Sequence, residues 1–387
     1  MARILFHTAA IKRPLTGIGR YTQGLGAALG AAPTDPVTVL CRPHAPEAPV
    51  PPGAPVPDRL RRALRAVPGA YAAAHARSRR HFRRLARATA PDVYHEPNFV
   101  PNPFDGPVVL TCHDLAHVRH PDRQPRRRRA FLDRHLPDAL ADAARVIVPS
   151  AFVRDEVHAV FGTDRAKLRV IPEGVGAAFR PRAADELRPA LARLDLVPGG
   201  YLLSVGTREP RKNLDVLVAA FAGLPPETRR RWPLVLAGAP GWQAGDLDAR
   251  LEPLRREGTA RVLGYVPERQ LPALYAGAAG FAYLSGYEGF GLPVLEAMAS
   301  GVPVLAGDTP SLAEVAAGAA QHVPPRDPDA ARAGLTRLLT DERAREHAIA
   351  AGRCRAGELT WARAASATRN VYRELLDAPG DTGRDAA

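Results

Sequence analysis

Short, wholly apolar runs alternate along this chain with longer stretches of helical periodicity. In the first half the runs are Ile4–His7, Val37–Leu40, Val93–His95, Val108–Cys112 and Val146–Pro149. In the second half they are Tyr201–Val205, Leu234–Ala237, Arg261–Leu263, Gly280–Leu284 and Val304–Ala306. A strand that is apolar along its whole length has no wet side. It belongs to a sheet covered on both faces, and the helices between the runs supply the cover. Two such sets predict two doubly wound α/β domains, whose ligands sit at the carboxyl ends of parallel strands. The join is expected near Pro172–Arg182, which gives a first domain over 1–180 and a second over 181–360. Pro43–Pro57 reads as an extended loop and 378–387 as a polar, frayed tail.

Composition agrees with that picture. The 387 residues are 46% hydrophobic and 24% charged, as in a soluble globular protein with more than one core. No apolar run approaches the about 18 residues of a spanning helix. The opening MARILFHTAA is too short for a signal-peptide core and reads as a buried first strand. The three cysteines, Cys41, Cys112 and Cys354, are far apart and lack metal-ligand spacing. They point to a reducing compartment and away from a disulfide framework or zinc site, so the expected location is the cytoplasm.

The net charge of +13 changes the picture by where it lies. The only lysines are Lys12, Lys167 and Lys212, and an Arg-rich, Ala-rich chain is what a GC-rich genome encodes. Yet residues 1–180 hold 28 basic and 15 acidic side chains, and the remainder holds 25 of each. Codon usage alone does not place the whole excess in one half. Ten arginines fall between Arg59 and Arg87, in a segment that reads as helical and broken near Pro68-Gly69. One reading is a solvated helix face; the other is a basic surface for anionic lipid headgroups or an acidic acceptor.

Four motifs carry candidate chemistry. In YLSGYEGFGLPVLEAMASGVPV, Tyr283–Val304, a strand runs through a Gly-rich loop into a helix with Pro293 in its first turn. Gly289, Phe290 and Gly291 then offer backbone N–H groups at a helix N-terminus, where anions bind. Glu288 lies in the loop and Glu296 about one turn into the helix, pointing past a phosphate toward sugar hydroxyls. In SVGTREPRKNLDVLVAAF, Ser204–Phe221, a basic turn follows a strand. Arg208 and Lys212 there can converge on one oxyanion, as a departing diphosphate needs, whereas Arg211 is ambiguous. In TGIGRYTQGLGAAL, Thr16–Leu29, glycines 17 and 19 let backbone approach a ligand ahead of a helix. In VVLTCHDLAHVRHPD, Val108–Asp122, His113 and Asp114 stand at a strand's carboxyl edge; His95 and Glu96 stand at the edge before it, where an acceptor would be met.

These residues resemble the retaining GT-B glycosyltransferases of family 4. EGFGLPVLEAMASGVPV is similar to their signature of two glutamates separated by seven residues. The resemblance implies that Glu288 contacts the donor sugar, that Glu296 contacts the nucleotide ribose, and that the Gly289–Leu292 amides bind sugar hydroxyls and phosphate. Pro293 has no N–H to contribute. It further implies that Arg208 and Lys212 hold the donor diphosphate and that Gly17 lies on the donor side of the N-terminal glycine loop. Arg20 is expected on the acceptor side, and His113 near the donor sugar with Asp114 as its partner. VIVPSAFVRDEV, VIPEGVGAAFRPR and LGYVPERQLPALYAGA follow in the family's order, and TWARAASATRNVYREL resembles a C-terminal helix, 361–377, that returns to the first domain. TREPRKN is similar to bacterial mannosyl- and related hexosyltransferases, which makes GDP-mannose the first expected donor and a UDP-hexose the second.

The reaction so implied is retaining hexosyl transfer from a nucleotide-diphosphate sugar to a glycan, lipid-linked or small-molecule hydroxyl. No metal or other cofactor is expected, because the acidic pairs Asp246/Asp248 and Asp327/Asp329 do not follow strands as a metal–diphosphate site requires. The expected partners are the donor, a hydroxyl acceptor, and an anionic membrane met at its inner face by residues 59–87. An epimerase of sugar nucleotides or a glycan phosphorylase would share the fold. A basic nucleic-acid-binding protein is a different class, but no nucleic-acid motif is present and no such partner is expected.

Overall fold

The computed structural model describes residues 2–11, 15–31, 37–42, 70–241 and 245–377. The Pro-rich loop, Lys12, the arginines from Arg59 to Arg65 and the tail 378–387 lie outside the described residues.

Two six-stranded sheets form, each parallel throughout. The first contains β1 (Ala2–His7), β2 (Val37–Arg42), β3 (Val93–Glu96), β4 (Val108–Thr111), β5 (Arg145–Val148) and β6 (Leu168–Val170), in the order β2-β1-β3-β4-β5-β6. The second contains β7 (Leu202–Val205), β8 (Leu234–Ala237), β9 (Ala260–Gly264), β10 (Gly280–Tyr283), β11 (Val304–Gly307) and β12 (Gln321–Val323), in the order β12-β11-β10-β7-β8-β9. The two doubly wound α/β domains are thus those the apolar runs predict, and they have the two-domain architecture that the resemblance implies. β6 and β12 were not expected. Each is a three-residue edge strand interrupted by polar side chains, Arg169 in β6 and Gln321 and His322 in β12, so neither makes an apolar run.

Both faces of each sheet are covered. In the second domain Leu203, Val205, Phe281 and Tyr283 point into one core, and Leu202, Leu236, Ala282 and Leu284 point into the other. This two-sided alternation is what makes the strands apolar at every position. In the first domain the face holding Ile4, Phe6, Val93 and Val109 is closed by the helices Gly17–Gly30 and Trp361–Asp377, through Tyr21, Leu25, Ala365 and Tyr372. The last described helix therefore belongs to the first domain's core. The two chain passages between domains are stitched by a bridge between Val175 and Thr360. A Cβ on Gly174 would lie 2.1 Å from the Trp361 nitrogen, so only glycine permits that approach.

The strand orders locate the crevices. Each sheet reverses direction once, between β1 and β3 in the first domain and between β7 and β10 in the second. Loops leaving two neighbouring strands on opposite sides of the sheet open a cleft there, and ligands collect in it. The basic turn follows β7 and the Glu288 loop follows β10, so the two strongest motifs flank one switch point.

Candidate active site

The turn after β7 is shaped by close backbone approach. A Cβ on Gly238, after β8, would sit 1.8 Å from the Gly206 carbonyl oxygen. Pro210–Lys212 then forms one 3-10 turn, closed by Asn213 at φ 48°. The Asn213 side-chain amide donates to the carbonyls of Leu284 (2.9 Å) and Pro325 (3.0 Å), tying this turn to the end of β10. Lys212 is consequently buried, with its ammonium donating to the Tyr283 hydroxyl and to Glu288 Oε1.

Glu288 is the centre of the cluster. Its Oε1 also accepts from Ser285 Oγ (2.6 Å) and from the Tyr283 hydroxyl (2.9 Å), while Oε2 meets the Arg211 guanidinium at 2.8 Å. Burial would push this carboxyl up, but Arg211 and Lys212 overcome it and hold the group down to about 2. Lys212 is pushed below its ordinary value by burial and by its neighbour Arg211, against the pull of Glu288. Each partner favours the charged form of the other.

Arg208 and Lys212 line one small cavity at the carboxyl ends of β7 and β8, together with Gly206, Thr207, Gly238 and Tyr283. The outer guanidinium nitrogen of Arg208 reaches Asp248 at 2.7 Å, whereas its buried Nε has no hydrogen-bond partner among the described residues. Asp248 and Asp327 each have a local partner. Asp327 caps the helix Pro328–Thr340 by accepting from the Asp329 and Ala330 amides, both at 2.9 Å.

The loop after β10 is held by its own side chains. Phe290 and Leu292 are buried in the second domain's core, so their side chains anchor the loop. Gly291, at φ 121°, caps the helix Leu292–Ala299. Gly289 abuts the first domain: a Cβ there would lie 1.7 Å from the His113 carbonyl oxygen. Ser150 Oγ donates to the Gly289 carbonyl at 2.7 Å, and the Tyr287 hydroxyl both accepts from the Leu115 amide (2.8 Å) and donates to Glu156 (2.6 Å). The loop proposed for donor binding is therefore also the interdomain seam.

Glu296 lies buried in the same helix and meets Arg20 of the first domain, whose NH1 donates to both carboxylate oxygens. The same guanidinium meets Glu268, after β9, at 2.9 Å. Burial lifts the Glu296 carboxyl above its ordinary value against the Arg20 charge. Arg20, expected on the acceptor side, sits in the first turn of the helix Gly17–Gly30, and its side chain reaches the second domain.

Other first-domain expectations change as well. His95 is wholly buried, with one ring nitrogen at 2.7 Å from the Tyr372 hydroxyl and the other at 2.8 Å from Thr111 Oγ1. Burial and nearby His113 push it down to about 3, so it is a neutral core residue, turned inward by its place within β3, and does not face an acceptor. Glu96 is buried too, accepting from the Tyr94 hydroxyl and facing His7 at 2.6 Å. Asp114 is not the partner of His113: it accepts from the Ala116 amide at 3.0 Å, just ahead of the short helix Ala116–Arg119. The His113 ring faces Glu173 at 3.3 Å and the Pro97 carbonyl at 2.8 Å, two acceptors of its own domain. Gly17 begins its helix with open space around the position a Cβ would take.

Sequence reasoning passed over Tyr283, Ser285, Glu173 and Glu268, and left Arg211 undecided. Glu173 and Glu268 both follow strand ends, in VIPEG and GYVPE, and that position was the available signal. Tyr283 reads as one more apolar strand residue, and its hydroxyl gives no periodic signature.

Two parallel sheets thus meet across a cleft, with a buried Lys–Glu pair at the switch point of the second. The profile described as Glycosyl transferases group 1 matches residues 198–355, and Glycosyltransferase Family 4 matches residues 15–179. The chain is 36% identical over 384 residues to the O-antigen chain mannosyltransferase B of Escherichia coli, covering 96% of this chain and 100% of that one. Sucrose-phosphate synthase of Thermosynechococcus elongatus shares the fold with a TM-score of 0.72 at 23% identity, over 98% of this chain and 100% of that one. Anabaena HepE in complex with UDP-glucose does so at 0.69 and 16%, over 97% and 100%. The chain belongs to the family 4, or group 1, glycosyltransferases.

Proposed function

We propose that this glycosyltransferase moves mannose from GDP-mannose to a hydroxyl of a lipid-linked glycan, with retention at the anomeric carbon and without a metal ion. The observation that carries the reading is the convergence of Arg208, Lys212 and Glu288 at one switch point. The bond between the sugar's anomeric carbon and the phosphate oxygen breaks, and its electron pair passes to the leaving diphosphate. Lys212 and the uncommitted Nε of Arg208 supply the cationic and donor groups for that charge. Glu288 and the loop amides hold the sugar. The acceptor hydroxyl adds to the anomeric carbon from the face the phosphate leaves, and the phosphate takes its proton. Mannose as the sugar rests on the likeness to the Escherichia coli mannosyltransferase, and the HepE complex makes UDP-glucose the second donor to try.

The same reading puts the first domain at the cytoplasmic face of a membrane. The helix Ala70–Thr89 exposes Arg79, Arg80, Arg83, Arg84 and Arg87 while Phe82 packs on Tyr94. No helix among the described residues is long and apolar enough to cross a bilayer.

The test is nucleotide release from GDP-mannose and from UDP-glucose, each with and without a mannose-terminated lipid-linked acceptor. GDP release that depends on acceptor, with an α-linked product, is expected. Interconversion of the donor without acceptor, or a β-linked product, overturns the reading.

A further inference from the structure

Three cations stand in the turn after β7, and the structure gives them different work. Arg208 leans out to Asp248, and Lys212 points into the cavity. Arg211 does neither. Its guanidinium, largely buried, contacts Glu288 Oε2 (2.8 Å), Glu209 Oε2 (2.9 Å) and the Tyr287 carbonyl (2.9 Å). Its own carbonyl accepts from the Gly286 amide (2.8 Å) and from Ser285 Oγ (3.2 Å). Side chain and backbone of one residue thus grip every residue from Ser285 to Glu288.

We infer that Arg211 is a positioning residue for Glu288: it fixes the carboxylate's rotamer and the loop beneath it, so that Glu288 meets the donor sugar in one orientation. The inference rests on the reading of Glu288 as a donor contact. A planar fork suits this task because it meets two carboxylates and a carbonyl in fixed directions at once, which a lysine ammonium does not. Without it, Glu288 would keep Lys212, Tyr283 and Ser285 on one oxygen and have its other oxygen buried and unpaired, an arrangement that drives a carboxylate to rotate or protonate.

The charges around Arg211 give the role a signature. Glu209 and Lys212 face it from its own turn, Tyr283 and Glu288 from β10 and its loop, and Asp114 from the first domain. Arg211 pulls the Glu288 carboxyl down and pushes the Lys212 ammonium down. Removing it therefore raises both groups. The acidic and the alkaline limbs of the rate profile both move to higher pH, a change that loss of mere packing does not produce.

The experiment measures GDP-mannose turnover against pH for the full chain, for Arg211→Gln, Arg211→Lys and Glu288→Gln, and for the double variant Arg211→Gln/Glu288→Gln. Arg211→Gln is expected to lose tenfold or more in kcat with little change in KM and to shift both limbs upward. Arg211→Lys restores the limb positions but only part of kcat. The double variant is no slower than Glu288→Gln alone, because Arg211 acts through that carboxylate. Unshifted limbs, or losses that multiply in the double variant, overturn the proposal. Full turnover by Glu288→Gln overturns the donor-contact reading instead. The crystal structure of Arg211→Gln gives a measure independent of turnover: a displaced Glu288 carboxylate supports the inference, and an unmoved one overturns it.

Discussion

One nitrogen of Arg20 in the first domain donates to both carboxylate oxygens of Glu296 in the second, at 2.8 and 3.0 Å. The carboxylate expected to receive the ribose hydroxyls is thus also one that bridges the two domains. Truncating one partner of a buried ion pair leaves the other charge unpaired, a cost of about 3–5 kcal/mol. Arg20→Ala is expected to lower the thermal midpoint by several degrees, and adding Glu296→Gln to recover part of it. Glu296→Ala alone should weaken GDP binding by roughly tenfold, about 1.4 kcal/mol by calorimetry. Unaltered GDP affinity would detach Glu296 from the nucleotide.

Arg208→Ala and Lys212→Ala are each expected to reduce kcat by about 100-fold or more, since each removes stabilisation of charge that grows as the diphosphate departs. With these groups in place a divalent ion is redundant, and activity should persist in EDTA. Loss of turnover on chelation, restored by manganese or magnesium, would reject the metal-free account.

His95 predicts how stability responds to acid. Its folded pKa, near 3, lies well below the ordinary 6.5. Between those values the unfolded chain binds the proton and the folded one does not. Stability from this residue is therefore complete above pH 6.5 and is lost by up to about 1.4 kcal/mol per pH unit as pH falls toward 3. Thermal unfolding from pH 7.5 to 5 should show a shallower acid decline for His95→Gln than for the native chain. Parallel declines would place the sensitive group elsewhere.

The exposed arginines of the helix Ala70–Thr89 predict reversible binding to anionic bilayers, at about 1 kcal/mol per basic residue near the surface. Co-sedimentation with anionic liposomes should fall when Arg79, Arg80, Arg83 and Arg84 become Gln, and should fade with salt as the Debye length shortens from about 8 Å. Equal binding to neutral and anionic vesicles would remove the membrane from the proposal.

The sheets were legible because an α/β core writes itself as apolar runs, and the second domain's site because its charges sit in contiguous loops. Glu288, Lys212 and Gly289 are each interpretable from their own neighbours in sequence. Arg20 with Glu296, and His113 with Glu173, were not: those pairs join residues 276 and 60 positions apart, and only the closed fold selects each partner. His95 illustrates the opposite hazard. A polar residue at a strand end looks like site chemistry until the helix Trp361–Asp377 supplies the Tyr372 hydroxyl that satisfies it.

That helix, Trp361–Asp377, has a consequence for how the protein is made. The first domain's strands leave the ribosome early, but Ala364, Ala365, Val371 and Tyr372, which seal one face of their sheet, emerge only after the entire second domain. Until then the nascent first domain carries an open apolar flank around Tyr21 and Leu25. Its maturation waits for a docking event that follows synthesis of the second domain, and truncation before Trp361 should leave a chaperone substrate in place of half an enzyme.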